Sequence, residues 1–328
     1  MRVESLSIAV ANLTSIPVLV FVIAVIAARL KTDIRLPEPI YQGIAIFLLL
    51  GIGLKGGHAL KASEGTEFLW PALAALALGI VIPFIAYGLL RVSGKLSRID
   101  RASLAAHYGS TSLVTFTAAL VMLESLSIFV EPYLAALLAI MEIPGIIVGI
   151  YLGARAMNKE AASSSLRESL REVLLGKTVL ILVAGLLVGF VAPEASFAKV
   201  EPFFVALQPG ILVLFLLQLG FLVGSRLESL RHVGVVLPLF AVVMPVLAGS
   251  LGAVVGSAIG LGVGGTTMLA VLCASASYIA APAAVEIAMP QANLSVSLTA
   301  SLGITFPFNL LVGLPLYLWL AQALSEVM

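Results

Sequence analysis

Apolar runs of about 20 residues follow one another along almost the whole chain, and each is long enough to cross a bilayer as a helix. In hydrocarbon every backbone N–H and C=O must find its partner inside the protein, so such runs fold as helices and leave little choice of architecture. Only 11% of the 328 residues are charged, against about 25% in soluble domains, too few to clothe a soluble body of this size. Ten spans are expected, at 15–30, 40–60, 68–90, 102–123, 132–154, 173–192, 203–224, 233–258, 266–288 and 297–324. The reading is an all-α membrane protein in a lipid bilayer.

Lysine and arginine in the loops orient the spans. Loops after the odd spans hold Arg29, Lys31 and Arg35, then Arg91, Lys95, Arg98 and Arg101, then Arg155, Lys159, Arg167, Arg171 and Lys177, then Arg226 and Arg231. The opposite side carries Arg2, Lys61 and Lys199, while Lys55 falls inside span 2. Both termini are therefore expected outside the cytoplasm.

The chain also resembles itself. A shift of 167 residues lays Gly43 on Gly210, Gly53 on Gly220, Gly57 on Gly224 and Pro71 on Pro238; at 165, Ser110 meets Ser275 and Ser112 meets Ser277. Near 164, Val148-Gly149 meets Val312-Gly313. Five spans per copy is an odd number, so the second copy must enter from the other face, which makes an inverted repeat. The expected division is 1–154 for the first five-helix repeat, 155–172 for a cytoplasmic linker and 173–328 for the second. In the linker, Ser165 and Glu168 fit a capping box before Leu166, Leu170, Val173 and Leu174 at helical spacing, which reads as a short amphipathic surface helix or a solvated connector.

Spans 4 and 9 are interrupted at matching places. His107-Tyr108-Gly109-Ser110-Thr111-Ser112 and Cys273-Ala274-Ser275-Ala276-Ser277-Tyr278 put small and hydroxyl side chains where Leu and Val would be expected. A helix broken there starts again with free N–H groups and a positive dipole end, which suits a small anion. Serine and threonine hydroxyls can donate to that anion or offer lone pairs to sodium; equally, such hydroxyls can bond back to their own helix or join helices. Two interrupted helices from inverted copies, facing each other across a polar pocket, are the arrangement of a transporter site. Gly109, Ser110, Thr111, Ser112, Ser275, Ala276 and Ser277 are the candidate anion-binding residues, and Pro282 would sit in the first turn of the second half-helix of span 9.

Intramembrane ionisable groups are candidates in their own right. Glu142 lies beside Pro144, whose ring frees a backbone carbonyl, and a carboxylate with carbonyls makes a hard-cation site. Sodium held by Glu142 with Thr115 and Ser277 is the first reading, a proton-carrying acid the second and an interfacial carboxylate the third. His107 reads as a packing residue with one bonded nitrogen or as a functional histidine. Lys55 is expected to snorkel, Asn309 to join helices, and Cys273, the single cysteine, to be a buried packing residue. His58, His107 and His232 lack metal-ligand spacing, no nucleotide or hydrolase motif is present, and a net charge of +1 gives no reason to expect nucleic acid. The chain is not read as an enzyme.

The run Phe47 to Ala59, together with Gly109-Ser110-Thr111, Glu142-Ile143-Pro144, Ala274 to Ile279 and Met289-Pro290-Gln291-Ala292-Asn293-Leu294-Ser295, resembles the cyanobacterial-type sodium-dependent bicarbonate symporter family over nearly the whole chain. That resemblance implies a ten-span inverted-repeat homotrimer in the bacterial inner membrane, with crossed broken helices 4 and 9 in a mobile core. It implies bicarbonate import coupled to sodium and, for some members, inhibition by a cytoplasmic PII-like protein. Three departures stand out. Tyr278 occupies the place of an acid, Glu142 replaces a shorter aspartate, and a long central insertion is missing. The lost acid leaves open a carrier of another small monovalent anion or carboxylate, with or without sodium; a membrane sensor or scaffold that does not transport is the other alternative.

Overall fold

The computed structural model describes residues 2–62, 65–94, 96–156, 171, 174–227 and 234–327. Most of the linker, including Ser165 and Glu168, lies outside the described residues, as does His232. Among the described residues the chain is helical throughout, without strands. The helices are α1 (Arg2–Leu13), α2 (Ile16–Arg29), α3 (Glu38–Ala62), α4 (Gly65–Leu89), α5 (Arg98–Gly109), α6 (Leu113–Ser125) and α7 (Leu134–Ala154). Then follow α8 (Lys177–Val191), α9 (Glu194–Arg226, with a π-type turn at Pro202–Ala206), α10 (Val236–Ala258), α11 (Val263–Ala274), α12 (Ala280–Ala288) and α13 (Leu294–Ser325).

By length and composition six of these helices can cross a membrane, or seven if α1 and α2, bent by 53° at their junction, form one span. The six correspond to expected spans 2, 3, 5, 7, 8 and 10. The difference from ten has a local cause. Spans 4 and 9 are each split into two short helices, α5–α6 and α11–α12, and spans 1 and 6 have helical parts of only 14 and 15 residues. Large apolar side chains cover the outside of these helices: Trp70, Leu73, Leu76 and Ile80 on α4, Leu180, Leu187 and Phe190 on α8, and Leu239, Leu247 and Val254 on α10. A continuous apolar exterior of this kind suits lipid rather than water.

Two helix pairs make the most extensive contacts, α3 with α8 and α2 with α9. Both depend on glycines one turn apart. A Cβ at Gly53 would lie 2.7 Å from the Leu182 carbonyl oxygen, and one at Gly57 would collide with the Leu186 carbonyl. A Cβ at Gly224 would lie 2.6 Å from the Val25 carbonyl oxygen, and one at Gly220 would collide with that of Phe21. Missing side chains let the backbones approach, which is how helices associate where water offers no driving force.

The remaining helices enclose α5–α6 and α11–α12. Helix α5 packs on α7 and α4, and α11 on α10 and α13. Helix α13 holds two π-type stretches, Thr299–Thr305 and Asn309–Gly313, around Pro307. Proline lacks an N–H and cannot complete the ladder beneath it, and widened turns absorb the mismatch. The second of these stretches sets Asn309 so that its Nδ2 donates to the Ala274 carbonyl at 2.8 Å, while its Oδ1 accepts from the Tyr317 hydroxyl at 3.0 Å. The last carbonyl of α11 is thereby satisfied, and Asn309 joins helices as expected.

Candidate functional site: two helix breaks around a buried carboxylate

Helix α5 stops at Gly109 because the chain turns extended at Ser110 (φ −104°, ψ 166°) and stays so through Ser112 (φ −114°, ψ 113°). Gly109 is a close-packing position: a Cβ there would lie 2.8 Å from the Gly145 Cα and 2.9 Å from the Pro83 Cβ. Ser112 then caps α6, its Oγ accepting from the Thr115 N–H at 3.2 Å and the Thr115 hydroxyl at 3.0 Å. The second break has the same form. Ser275 is extended (φ −78°, ψ 164°), and Ser277 Oγ accepts from the Ala281 N–H at 3.1 Å at the start of α12. Pro282 falls in the first turn of that helix.

The two breaks bond directly to each other. The Ser112 N–H donates to Ser275 Oγ at 2.9 Å, and the Ser277 N–H donates to the His107 carbonyl at 2.8 Å. Ser112 Oγ also donates to the Tyr278 hydroxyl at 3.1 Å. Extended backbone inside a membrane protein leaves polar groups that lipid cannot satisfy, and here each break supplies partners for the other.

Every candidate is buried: Ser110, Thr111, Ser112, Thr115, Ser275, Ala276, Ser277 and Glu142 are all under 5% exposed. Only some reach open space. A cavity of ≈ 10 Å³ is lined by Thr111, Ser112, Leu113, Glu142, Thr178, Ser277, Tyr278 and Ile279. That is room for about one water. Thr115 stands behind Ser112, bonded to its oxygen, and does not line the cavity. Ser275 serves the contact between the breaks, Ala276 is buried, and Ser110 is buried with an unpartnered hydroxyl. Thr178 and Tyr278 join the site without having been singled out for it. Nothing in the sequence marks Thr178, which arrives from the start of α8. Tyr278 was visible only as a substitution.

Glu142 is the one carboxylate on the cavity wall, and among the described residues nothing donates a hydrogen bond to it. No lysine or arginine lines the cavity. An unpaired charge in such surroundings costs several kcal/mol, so this carboxyl calls for a proton or a cation. Five hydroxyl-bearing residues beside it supply neutral donors and oxygen lone pairs. His107 is fully buried; its Nδ1 donates to the Ser103 carbonyl at 2.8 Å, a carbonyl being only an acceptor, and Nε2 is unpartnered.

Two larger cavities flank this centre. One, of ≈ 450 Å³, opens between Glu38, Tyr41 and Gln42 on α3 and Lys177 and Thr178 on α8, and it shares Leu113, Thr178, Tyr278 and Ile279 with the small cavity. The other, of ≈ 410 Å³, lies toward the opposite end of α3 and shares no residue with it. Its wall includes Lys55, which pairs with Glu124 at 2.5 Å with both side chains over a third exposed.

Comparison with known proteins places this arrangement in a family. A family model for the Na+-dependent bicarbonate transporter superfamily matches residues 17–322. No curated protein matches the chain.

Proposed function

The chain belongs to the Na+-dependent bicarbonate transporter superfamily, a family of transporters and not of enzymes, and from that premise we propose that it is a sodium-coupled symporter importing bicarbonate by alternating access. The observation that carries the reading is the pair of interrupted helices bonded to each other beside an unpaired buried carboxylate. The anion sits against the starts of α6 and α12, held by Thr111, Ser112 and Ser277, with Ser275 joining the two breaks and Gly109, Ser110 and Ala276 buried beside it. Sodium sits on Glu142 with hydroxyl oxygens around it. Its charge offsets the carboxylate, so the anion can enter without meeting a like charge.

Ten spans in two inverted five-helix repeats, 1–154 and 173–328, complete the proposal. The glycine contacts support it. Gly53 and Gly57 of α3 lie on Leu182 and Leu186 of α8, while Gly220 and Gly224 of α9 lie on Phe21 and Val25 of α2. Exchanging the repeats turns one contact into the other: a shift of 167 carries the glycines across and a shift of 161 carries the carbonyls. With both termini outside a bacterial plasma membrane, the ≈ 450 Å³ cavity faces the cytoplasm.

Purified protein in proteoliposomes tests the proposal. An inward sodium gradient should drive labelled bicarbonate above equilibrium, and potassium in its place should not. Bicarbonate uptake indifferent to sodium, or none at any pH, refutes it. Tyr278 in the place of an acid favours a second reading, transport of another small monovalent anion, which a panel of formate, nitrate and acetate separates from the first.

A further inference from the structure

We propose that Tyr278 is the specificity-determining residue of the site: its phenol closes the pocket toward the ≈ 450 Å³ vestibule and limits the size of the anion that passes. This deepens the transport reading and depends on it for the identity of what passes, though not for the existence of the closure.

Four residues belong to the walls of both the ≈ 10 Å³ pocket and the vestibule: Leu113, Thr178, Tyr278 and Ile279. They are the partition between the two spaces. Leu113 and Ile279 start or precede a half-helix, and their positions follow from the backbone there. Thr178 is small and belongs to α8. Tyr278 is the large member, and it alone of the four is tied to the pocket by a side-chain hydrogen bond, from Ser112 Oγ at 3.1 Å. Its ring packs edge-to-face with Phe306, centroids 5.5 Å apart, and lines both spaces.

The pocket as it stands has room for about one water, whereas bicarbonate has four heavy atoms. The anion can therefore occupy the site only when a wall moves. Swinging the Tyr278 ring breaks one neutral hydrogen bond and joins the pocket to a vestibule more than large enough for any small anion. The phenol also has chemistry to offer in transit. Its oxygen accepts from Ser112, and among the described residues nothing accepts its proton. That free O–H is a donor facing the path of an anion. A carboxylic acid at this position would repel the same anion when ionised.

The closure can be tested without transport, and the anion ranking with it. In a Cys273→Ala background, which removes the only cysteine, Thr111→Cys places a thiol on the pocket wall. A membrane-impermeant methanethiosulfonate reagent is then applied to each side of the membrane in turn. With Tyr278 in place the thiol should react slowly from both sides. Tyr278→Phe, which keeps the ring and loses the hydrogen bond, should raise the rate from the vestibule side about 5-fold. Tyr278→Ala should raise it at least tenfold from that side only. In flux measurements, Tyr278→Ala should admit acetate and larger carboxylates that the parent excludes. Equal labelling rates in all three proteins, or acceleration from the opposite side, overturn the closure. An unchanged anion ranking in Tyr278→Ala overturns the role in specificity. Protected labelling of the thiol, together with no bicarbonate flux through the unsubstituted protein, refutes the transport reading and leaves the closure standing.

Discussion

Replacing Glu142 by glutamine keeps the shape of the side chain and removes its charge, and the consequences can be worked from the pocket. The carboxyl is buried and receives no hydrogen bond among the described residues, on a wall shared with Thr111, Ser112, Ser277 and Tyr278. In so small a space an anion would lie about 5 Å from it, and at an effective dielectric of about 20 two like charges at that separation repel by about 3 kcal/mol. An ionised Glu142 without a cation thus weakens anion binding about 200-fold, and a sodium ion on the carboxylate removes that penalty. Glutamine removes the penalty and the cation site together. At a pH alkaline enough to ionise the parent's carboxyl, bicarbonate should then bind Glu142→Gln without sodium about 100-fold more tightly than it binds the parent without sodium, with the sodium dependence gone. Exchange of bicarbonate across vesicles should survive, and accumulation driven by a sodium gradient should be lost. Titration calorimetry of bicarbonate binding, in sodium and in choline, measures the first effect; counterflow and gradient-driven uptake measure the second. Sodium stimulation of Glu142→Gln equal to that of the parent refutes the reasoning. Coupling to a pH gradient in the parent, abolished in the variant, shows that the carboxyl carries a proton instead.

Four further substitutions test the contacts between helices. Gly57→Ala should destabilise the protein by about 2–3 kcal/mol, because its Cβ meets backbone of α8 that cannot give way, while Gly43→Ala, with nothing within 4 Å, should melt like the parent. Asn309→Leu strips the Ala274 carbonyl and the Tyr317 hydroxyl of their partner, and should cost about 1–3 kcal/mol in a thermal melt; a melt within error of the parent would mean that α11 ends without need of that bond. Glu124→Gln breaks the pair with Lys55, but both side chains are over a third exposed, so the melt should shift by less than about 1 kcal/mol.

The sequence was most informative where chemistry interrupts a pattern. Ser110–Ser112 and Ser275–Ser277 stand out because hydroxyls replace Leu and Val in apolar runs, and both helices break there. Glu142 stood out in the same way. What could not be read was which hydroxyl turns where. Thr115 is a sodium candidate by its hydroxyl alone, and the sequence does not say that this hydroxyl donates to the capping Ser112 three residues earlier. Gly109 looked like part of an anion cradle, and its reason is Gly145 and Pro83, on helices distant in sequence. Thr178 was invisible because one threonine at the start of a span carries no periodic signal. The bonds between the breaks depend on an approach of two segments more than 160 residues apart, which local pattern does not encode.

If the two halves are inverted copies, the site's direction must come from residues that break the symmetry, and these can be named. At a shift of 165 Ser112 matches Ser277, and each donates its N–H across to the opposite interrupted helix, one to the Ser275 hydroxyl and the other to the His107 carbonyl, so both copies contribute to the contact. At 164 Glu142 matches Phe306 and Gly145 matches Asn309, so the charge belongs to one copy alone. At 165 Leu113 matches Tyr278, the first apolar and the second able to close on Ser112. The two unequal pairs meet on one side: Phe306, standing where a second carboxylate would be, packs against the Tyr278 ring. A symmetric backbone lets the fold offer its pocket to either face, as alternating access requires. One carboxylate permits a single monovalent cation to neutralise the pocket, so cation and anion should cross one for one and move no net charge. Bicarbonate uptake by proteoliposomes should then be indifferent to an imposed membrane potential. A current that follows uptake and reverses with the potential would mean that a second cation travels with the anion, on a site that Glu142 does not make.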